Sequence, residues 1–376
     1  MGIKDLNQLI KKFGKSPQEK VFREIPAEEF RGKTFSVDIS IFICSFVLSN
    51  QETWFNRMTN FLLSFQKYGI NVIIVFDGKH VPQEKLVERE SRKSNQQKEK
   101  ARLEKLQFFK EKATMYADDV IPEPIQEEFK ELFKHNKKAI EPLNLRDPED
   151  MIVFLQEQID RKQQTSEGIQ PHHKEMTRKL VTNMGLKYIE AHGEAESLAA
   201  SMAYHGFVDG IISRDTDSLV YGTPILISDI KNNKINCVYL KDVLSSLSIT
   251  METFIDMCIC LGCDYNHRMR LVGPAKIYPA LLKFKTIDEW KKVNPEKPFH
   301  ELKFNRCREI FRPYSKKYLK NKCHIKQRPI NIDELDILYS KVNSRYSGAY
   351  ISDVLKGESG MQYLDNWENI IEENEA

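Results

Sequence analysis

The sequence lacks an apolar run long enough to span a membrane, and its cysteines lack the spacing of a disulfide framework. The longest apolar stretch, residues 35–49, is short and is interrupted by Asp38. Seven cysteines is an odd count, so we expect free thiols and a reducing compartment. The first residues have neither a long apolar core nor a small-residue cleavage site. We therefore expect no signal peptide and no membrane association.

The sequence also lacks a large net charge, since 57 Lys and Arg face 54 Asp and Glu. The basic residues are nevertheless concentrated in two segments. Residues 303–328 contain ten Lys/Arg and one acid, and residues 79–110 contain ten Lys/Arg and five acids. The first segment also carries Phe304, Phe311, Tyr314 and Tyr318. This mixture favours contact with a nucleic-acid backbone together with base stacking, although an amphipathic helix with aromatic core residues would have the same composition.

The apolar pattern indicates an α/β fold. Residues 33–39 and 70–78 have the composition of buried strands, and residues 54–68 between them have helical spacing. Residues 79–165 are highly charged, which predicts mostly exposed and partly mobile helices. From residue 176 onward the alternation of helices and strands returns.

Acidic residues stand where buried elements begin or end. Those that follow predicted strands are Asp38, Asp77, Asp215 and Asp217; Glu194 and Glu196 open a helix, and Asp264 follows one. Because the carboxyl ends of parallel strands face one crevice, we expect these carboxylates to converge. Unpaired carboxylates in one crevice would raise each other's pKa, and hard divalent cations relieve this repulsion. Oxygen ligands without His or Cys indicate magnesium or manganese rather than zinc.

Two such metals about 4 Å apart suit in-line phosphoryl chemistry, because they activate water and stabilise the leaving oxygen. Two other interpretations remain open. The Asp215-x-Asp217 pair alone is also typical of metal-dependent nucleotide-sugar transferases, and Glu194-x-Glu196 at a helix start can be capping chemistry. The basic segments alone would fit a non-catalytic protein that binds branched DNA.

Six stretches resemble the XPG/flap endonuclease family of structure-specific 5′ nucleases. They are "MGIKDLNQLI", "VDISIFI", "VIIVFDGK", "EAHGEAESLAA", "ISRDTDSLVYGTPILI" and "MCICLGCDY". They cover roughly residues 1–280 in the family's order. The compact length and the departures described below resemble divergent viral members.

The resemblance implies a PIN-like α/β domain whose mostly parallel central sheet is flanked by helices. It implies an XPG N-terminal nuclease region at residues 1–110 and an internal nuclease region at residues 180–265. The arch helices would be inserted at about residues 79–165. Residues 266–376 would form a helical, basic DNA-binding region with a helix–two-turn–helix-like element.

The resemblance also implies a magnesium-dependent flap endonuclease or 5′→3′ exonuclease that hydrolyses branched or flapped DNA in replication, repair or recombination. The acids named above would hold two Mg²⁺ ions, with Mn²⁺ as an alternative. The catalytic residues would be Glu194, Lys85 and Arg92, the last two aimed at the scissile phosphate from one helix face. The implied DNA-binding residues are Gly2, Lys79, Gly273, Lys276, Arg312, Lys316 and Lys317.

The sequence departs from the family pattern in three places. Cys44 stands where the family has a base-stacking aromatic, with Phe42 nearby. The duplex-gripping turn retains only Gly273 of two glycines, which puts a potassium site in doubt. No clamp-binding sequence is visible near the C-terminus, so a sliding-clamp partner has no support from the sequence. We expect a monomer. We expect it to act in the nucleus, which for a viral protein is the host nucleus, or at a cytoplasmic site of DNA replication.

Overall fold

The structure is a computed structural model that describes residues 2–80, 82–166, 168–342, 344 and 346–357, without the side chains of 86–89, 91, 92, 161 and 163–166. The chain divides into two compact units. The larger unit comprises the chain up to residue 46, residues 52–88, and the chain from residue 171 onward. The smaller unit comprises residues 47–51 and 89–170. Residues 358–376 of the predicted C-terminal region lie outside the described residues.

The larger unit contains a seven-stranded sheet. Its strands are β1 (Phe22–Pro26), β2 (Thr34–Asp38), β3 (Asn71–Phe76), β4 (Lys187–Glu190), β5 (Gly210–Ile212), β6 (Ile225–Lys231) and β7 (Lys234–Tyr239). Their order is β1-β7-β6-β5-β2-β3-β4. The five strands from β6 to β4 are parallel, whereas β7 pairs antiparallel with both β6 and β1. This confirms the predicted α/β class with a mostly parallel sheet.

A ligand site can form at the middle of the sheet, where the order of the strands reverses beside β2. β2 and β3 are buried apolar runs that pair in parallel, with Thr34 opposite Asn71 and Asp38 opposite Val75. The chain continues to β3 and β4 on one side of β2, and then returns to β5 on the other side. This reversal of strand order is the position at which α/β sheets bind ligands, beyond the carboxyl ends of the strands.

The helices occupy most of the remaining chain. They are α1 (Leu6–Phe13), α2 (Gln18–Val21), α3 (Ile39–Ser49), α4 (Trp54–Lys67), α5 (Gln83–Thr114), α6 (Glu123–Leu132), α7 (Lys137–Ile140), α8 (Pro148–Ser166), α9 (Pro171–Asn183), α10 (Ala195–Tyr204), α11 (Asp217–Val220), α12 (Leu240–Leu247), α13 (Met251–Leu261), α14 (Pro274–Phe284), α15 (Ile287–Val293), α16 (Phe304–Ile310), α17 (Lys316–Lys322), α18 (Ile332–Ser340) and α19 (Gly348–Lys356). Short 3-10 helices lie at Ala27–Phe30 and Phe299–Glu301.

Helix α10 packs directly on the centre of the sheet because most of its buried residues are alanine or serine. The Ser36 hydroxyl of β2 donates a hydrogen bond to the Ala199 carbonyl at 3.0 Å. Side chains larger than alanine at Ala199 and Ala200 would push this helix away from the strands. The close packing fixes the N-terminus of α10 near the carboxyl edge of the sheet.

The smaller unit contains α6, α7, α8, the greater part of α5 and the last residues of α3, and it has its own apolar core. The buried side chains are Leu106, Phe109, Ala113, Ile121, Phe129, Phe133, Ile140, Met151, Leu155 and Ile159. The predicted helices are therefore present, but the prediction of a mostly exposed insertion missed this core. The predicted domain boundaries themselves stay a prediction.

Strand β1, at one edge of the sheet, was not predicted from the sequence. Its five residues pair with β7 from Phe22 opposite Val238 to Pro26 opposite Lys234. Among the described helices, none is by itself long and apolar enough to cross a membrane. Helices α12 and α13, which are bent by 85° at the break between them, reach the length and apolar composition of a membrane span only when they are counted together.

Candidate metal centre

Three aspartates reach the carboxyl edge of the sheet from neighbouring strands. Asp38 is the last residue of β2, Asp77 directly follows β3, and Asp215 stands three residues after β5. The Asp215 carboxylate accepts a hydrogen bond from the backbone N–H of Asp217 at 3.1 Å, and Asp38 accepts one from Ser40 at 3.1 Å. Such side-chain-to-backbone turns are the reason that aspartate is favoured where a strand ends.

Two glutamates enter the same edge from the start of α10. Glu194 is the N-cap residue, and Glu196 lies in the first turn. The backbone N–H of Ala195 donates to the Asp77 carboxylate at 3.0 Å, which ties the helix to the end of β3. Ser218 donates to Glu196 at 2.9 Å. The positive end of the helix dipole favours negative charge at this position.

Glu196, Asp215 and Asp217 form the centre of the site. One carboxylate oxygen from each lies within 4.8 Å of the other two, and all three residues are buried. The Oδ1 atom of Asp217 is buried without a hydrogen-bond partner among the described residues. A buried carboxylate oxygen without a partner is costly, and oxygen clusters of this kind are the ligands that hard divalent cations prefer. The residues present therefore fit a divalent metal.

Burial and mutual repulsion raise the pKa of these acids. Burial, followed by repulsion from Asp77 and Asp215, raises the pKa of Asp38 to about 7. The pKa of Glu196 and that of Asp217 are raised well above their usual values by burial and by Asp215. The pKa of Asp215 is raised, with burial as the largest cause. Such a cluster holds its full negative charge at neutral pH only when a cation compensates it.

Lys85 supplies a cation at one side of the cluster. Its Nζ atom lies 2.6 Å from a Glu194 oxygen and 3.6 Å from an Asp264 oxygen. Burial opposes the charge of Lys85, but these carboxylates and Glu196 outweigh burial and raise its pKa. The second oxygen of Glu194 accepts a hydrogen bond from the Tyr265 hydroxyl at 2.5 Å. Glu194 is therefore fixed at both oxygens.

The predicted acids form one connected arrangement, although only three meet at ligand distance. Asp38 interacts electrostatically with Asp77 and Asp215, and Asp264 interacts with Asp215 and with Lys85. Asp77 is less buried than Asp38, accepts a hydrogen bond from Ser40 at 2.5 Å and lies 3.8 Å from Lys174. The side chain of Arg92 lies outside the described residues.

The predicted DNA-binding residues differ in position and burial, and Gly2 directly adjoins an acid of the metal centre. Gly2 is beside Asp215: a Cβ at Gly2 would lie 2.0 Å from the Asp215 Oδ1 atom, and its φ is +90°. Gly273 is the N-cap of α14, which continues through Pro279. The remaining predicted residues are exposed: Lys79, Lys276, Arg312, Lys316 and Lys317.

The sequence analysis gave no role to three residues that orient the acids. Ser40, Ser218 and Tyr265 each donate a hydrogen bond to an acid of the site. For two of them, the sequence signal was a position directly after a predicted acid: Ser218 follows Asp217, and Tyr265 follows Asp264. Phe42, noted as an aromatic near Cys44, is fully buried and stacks on Phe61 with ring centroids 4.1 Å apart. Its ring is therefore not available to a DNA base.

Two family models match this chain. The model described as "XPG N-terminal domain" matches residues 1–100, and that described as "XPG I-region" matches residues 185–264. The chain is 28% identical over 314 residues to a probable RAD2-like endonuclease of Invertebrate iridescent virus 3, covering 77% of this chain and 80% of the relative. It is 27% identical over 338 residues to flap endonuclease 1 of Naegleria gruberi, covering 83% and 73% respectively.

Solved structures share the fold. Flap endonuclease-1 from Methanococcus jannaschii superposes with a TM-score of 0.56 at 18% identity, covering 92% of this chain and 96% of that one. The catalytic core of Rad2 in complex with a DNA substrate also gives 0.56, at 15% identity, covering 95% and 100%. The two matched sequence regions contain Asp38 and Asp77 in the first and all five other acids of the site in the second. Residues 1–100 and 185–264 of this chain are therefore similar to the XPG N-terminal domain and the XPG I-region, and together they contain every acid of the site.

Proposed function

We propose that this chain is a divalent-metal-dependent, structure-specific 5′ nuclease that hydrolyses DNA phosphodiester bonds. The observation that carries the proposal is the buried cluster of Glu196, Asp215 and Asp217, with an unpartnered oxygen on Asp217 among the described residues. The cluster lies at the carboxyl ends of the parallel strands, where α/β folds bind ligands. It also lies within the region matched by the XPG I-region model.

The proposed metals are two Mg²⁺ ions, with Mn²⁺ as an alternative. Glu196, Asp215 and Asp217 would hold one, and the ligands of the pair would be completed from Asp38, Asp77, Glu194 and Asp264. When bound, two such ions lower the pKa of water and stabilise the leaving oxygen of a phosphodiester. The oxygen-only donor set supports magnesium or manganese over zinc.

The chain's own residues would orient the phosphate. The Lys85 ammonium is held at the cluster by Glu194 and Asp264, so it is placed to neutralise a phosphate oxygen that arrives there. Tyr265 and Lys85 together fix the orientation of Glu194. Arg92, seven residues after Lys85 in the sequence, stays a proposed catalytic residue on the sequence resemblance alone.

DNA is the proposed partner. The named relatives are endonucleases, and the Rad2 catalytic core has been solved with a DNA substrate. The predicted DNA-binding cations are exposed on α14, on α17 and in the segment before α17. A nuclease that processes replication intermediates would act in the nucleus, in the host nucleus if viral, or at a cytoplasmic DNA-replication site.

The two alternatives explain fewer residues. A nucleotide-sugar transferase would need Asp215 and Asp217 but would leave Asp38 and its interaction with Asp77 without a role. A DNA binder without catalysis would gain nothing from a buried acidic cluster near phosphates, because like charges repel. The nuclease accounts for both the acids and the exposed cations.

The test is product mapping on labelled 5′-flap, 3′-flap and bubble DNA with Mg²⁺, compared with Asp217→Asn and a control. Asp353→Asn is a matched control, because Asp353 is an exposed aspartate on α19. We expect cleavage of 5′-flap DNA near the junction, a loss of at least about 100-fold in Asp217→Asn, and no change in the control. Binding without cleavage, or a variant within a few fold of wild type, would contradict the proposal.

A further inference from the structure

A cavity of about 680 Å³ lies beside the metal centre in the larger unit. Its lining includes Asp77, Arg178, His192, Tyr318, Lys322 and Lys326, and we call it the tyrosine cavity. This volume is within the range of roughly 300–1,000 Å³ that is usual for small-molecule sites. Because Asp77 belongs to both the cavity and the metal centre, anything bound in the cavity is adjacent to the reacting phosphate.

One wall of the cavity consists of two loops in direct backbone contact. The N–H of Gly78 donates to the Gly193 carbonyl at 2.7 Å, and that of His80 donates to the His192 carbonyl at 3.2 Å. The rings of His80 and His192 stack with centroids 4.1 Å apart. A Cβ at Gly78 would lie 2.0 Å from the Ala191 carbonyl oxygen, so only glycine at this position lets the two loops lie this close together. This wall is therefore fixed by the same loop that leads into Glu194.

The cavity lining also includes a pair of stacked tyrosines. Tyr314 and Tyr318 lie with ring centroids 4.8 Å apart and planes 21° from parallel. Tyr314 is anchored on α10, because its backbone N–H donates to the Ser201 hydroxyl at 3.0 Å and its carbonyl contacts the His205 ring at 2.7 Å. Tyr318 is half-buried and lines the cavity. A fixed aromatic pair of this kind presents a flat apolar face to a planar ligand.

The cavity lining carries more positive than negative charge. Lys79 and Lys322 are exposed, while Arg178 and Lys326 share the single carboxylate of Glu190 at 2.5 and 3.7 Å. Among the residues that line the cavity, these four cations face only Glu190 and Asp77. An anion that carries a planar ring matches both properties of the cavity.

We propose that the tyrosine cavity binds one unpaired nucleotide of the DNA strand being cut, next to the scissile phosphate. Its base lies against Tyr318 and its phosphate lies toward Lys322 and Lys326. A paired base has no open ring face, whereas an unpaired base stacks on aromatic side chains irrespective of its sequence. The inference rests on the proposed nuclease function. It adds recognition of an unpaired base, whereas the metal centre alone would bind only the phosphate.

The experiment uses the full chain, 5′-flap DNA, and the same duplex with a nick and no unpaired nucleotide. Kd is measured with Ca²⁺ in place of Mg²⁺, and cleavage is measured with Mg²⁺. We expect Tyr318→Leu to raise Kd for flapped DNA about tenfold relative to nicked DNA, and Tyr318→Phe to restore it, since stacking needs only the ring. Lys322→Gln, at an exposed position, should also raise the ratio of Kd for flapped DNA to Kd for nicked DNA, without changing the midpoint of urea unfolding.

Abasic residues placed one at a time along the flap identify the bound nucleotide. In the wild type, an abasic residue at one flap position should weaken binding by the same factor as Tyr318→Leu weakens binding of intact flap DNA. Combining that abasic flap with Tyr318→Leu should cause no further loss. Additive losses at every position, or equal losses on nicked and flapped DNA, would overturn the tyrosine cavity and leave the nuclease proposal standing. A wild-type chain that cuts no branched DNA with Mg²⁺ would overturn both.

Discussion

Asp217 shows most clearly the free-energy cost of burying a charged carboxylate. It is 1% exposed, and its pKa is raised well above the usual value by burial and by Asp215. Its Oδ1 atom has no hydrogen-bond partner in the part of the chain that the structure describes. A bound divalent cation would supply both the missing partner and the compensating charge.

The metal-free protein should become less stable as the pH rises from about 4 to about 7. Asp38 has an ordinary pKa of 3.8 and a raised pKa of about 7 in the folded chain. In this window the folded chain binds more protons than the unfolded chain, so the free energy of unfolding falls as pH rises. At ~1.4 kcal/mol per pKa unit, Asp38 alone accounts for a loss of roughly 4 kcal/mol.

Urea unfolding in EDTA at about pH 4 and about pH 7.5 measures this loss of free energy of unfolding. Asp38→Asn should flatten the dependence, because the amide does not titrate. Mg²⁺ at the higher pH should restore stability to the wild type. Stability that rises with pH in EDTA would show that the acids do not repel one another as described.

Tyr265→Phe should lower kcat by about 10- to 100-fold with little effect on KM. The change removes the hydrogen bond that fixes Glu194, and a hydrogen bond to a charged group contributes ~1.5–3 kcal/mol. Tyr350→Phe is the matched control, because the buried Tyr350 hydroxyl has no hydrogen-bond partner among the described residues. Steady-state kinetics on 5′-flap DNA distinguish the two, and equal behaviour of the variants would show that Tyr265 has no special role in orienting Glu194.

Single residues differ in how far sequence alone could assign them. Asp38 and Asp77 were predictable, because each ends an apolar strand. Tyr265 was not, because its partner Glu194 is 71 residues away and the contact exists only in the folded chain. Phe42 was placed near a base-stacking position, but the register of α3 turns it into the core against Phe61.

At the scale of elements, one buried ion pair joins the helices that carry the basic residues to the core. Arg308 of α16 donates to both oxygens of Asp256 on α13, at 2.7 and 2.5 Å. Asp256 is fully buried and also accepts the N–H of Ile287, the first residue of α15, at 2.7 Å. The pair therefore fixes α13, α15 and α16 to one another.

Arg308→Ala should lower the free energy of unfolding by about 3–5 kcal/mol, because it leaves the charge of Asp256 buried and unpaired. Arg306→Ala is the control: the same helix carries Arg306, but its ion pairs with Glu84 and Glu309 are more exposed and worth about 0–1 kcal/mol. Urea unfolding of both variants measures the difference. A loss for Arg308→Ala no greater than that for Arg306→Ala would contradict the described role of the buried pair.

Elements with strong local patterns were predictable, and those defined by distant partners were not. β3 is a continuous β-branched run, so its sequence predicts a buried parallel strand. β1 has only five residues, includes Pro26, and forms by pairing with β7 more than 200 positions away. The core of the smaller unit was missed for a related reason: Phe109, Phe129 and Met151 converge only because the turns between their helices bring them together.

At the scale of the whole molecule, the distribution of charge matters more than its sum. The net charge is +3, yet residues 303–328 are strongly basic and the metal centre is strongly acidic. DNA binding should therefore weaken steeply with salt, because cations that neutralise phosphates release counterions.

Replacing both Lys316 and Lys317 with Gln should reduce the slope of log Kd against log salt by about 1 for each phosphate that is no longer neutralised. Both are exposed on α17. Lys234→Gln is the control, since Lys234 is an exposed lysine on β7 outside the basic segment. Fluorescence anisotropy over a salt series gives the slopes. Equal slopes for both variants would place DNA elsewhere on the surface.

The central claim is that acids from distant parts of the chain form one pocket for hard divalent cations. The most direct measurement is a crystal structure with Mn²⁺, in which anomalous scattering locates the metal. The account predicts a peak within bonding distance of carboxylate oxygens of Glu196, Asp215 and Asp217, at about 2.0–2.3 Å. Mn²⁺ bound only elsewhere, with those carboxylates pointing apart, would contradict it.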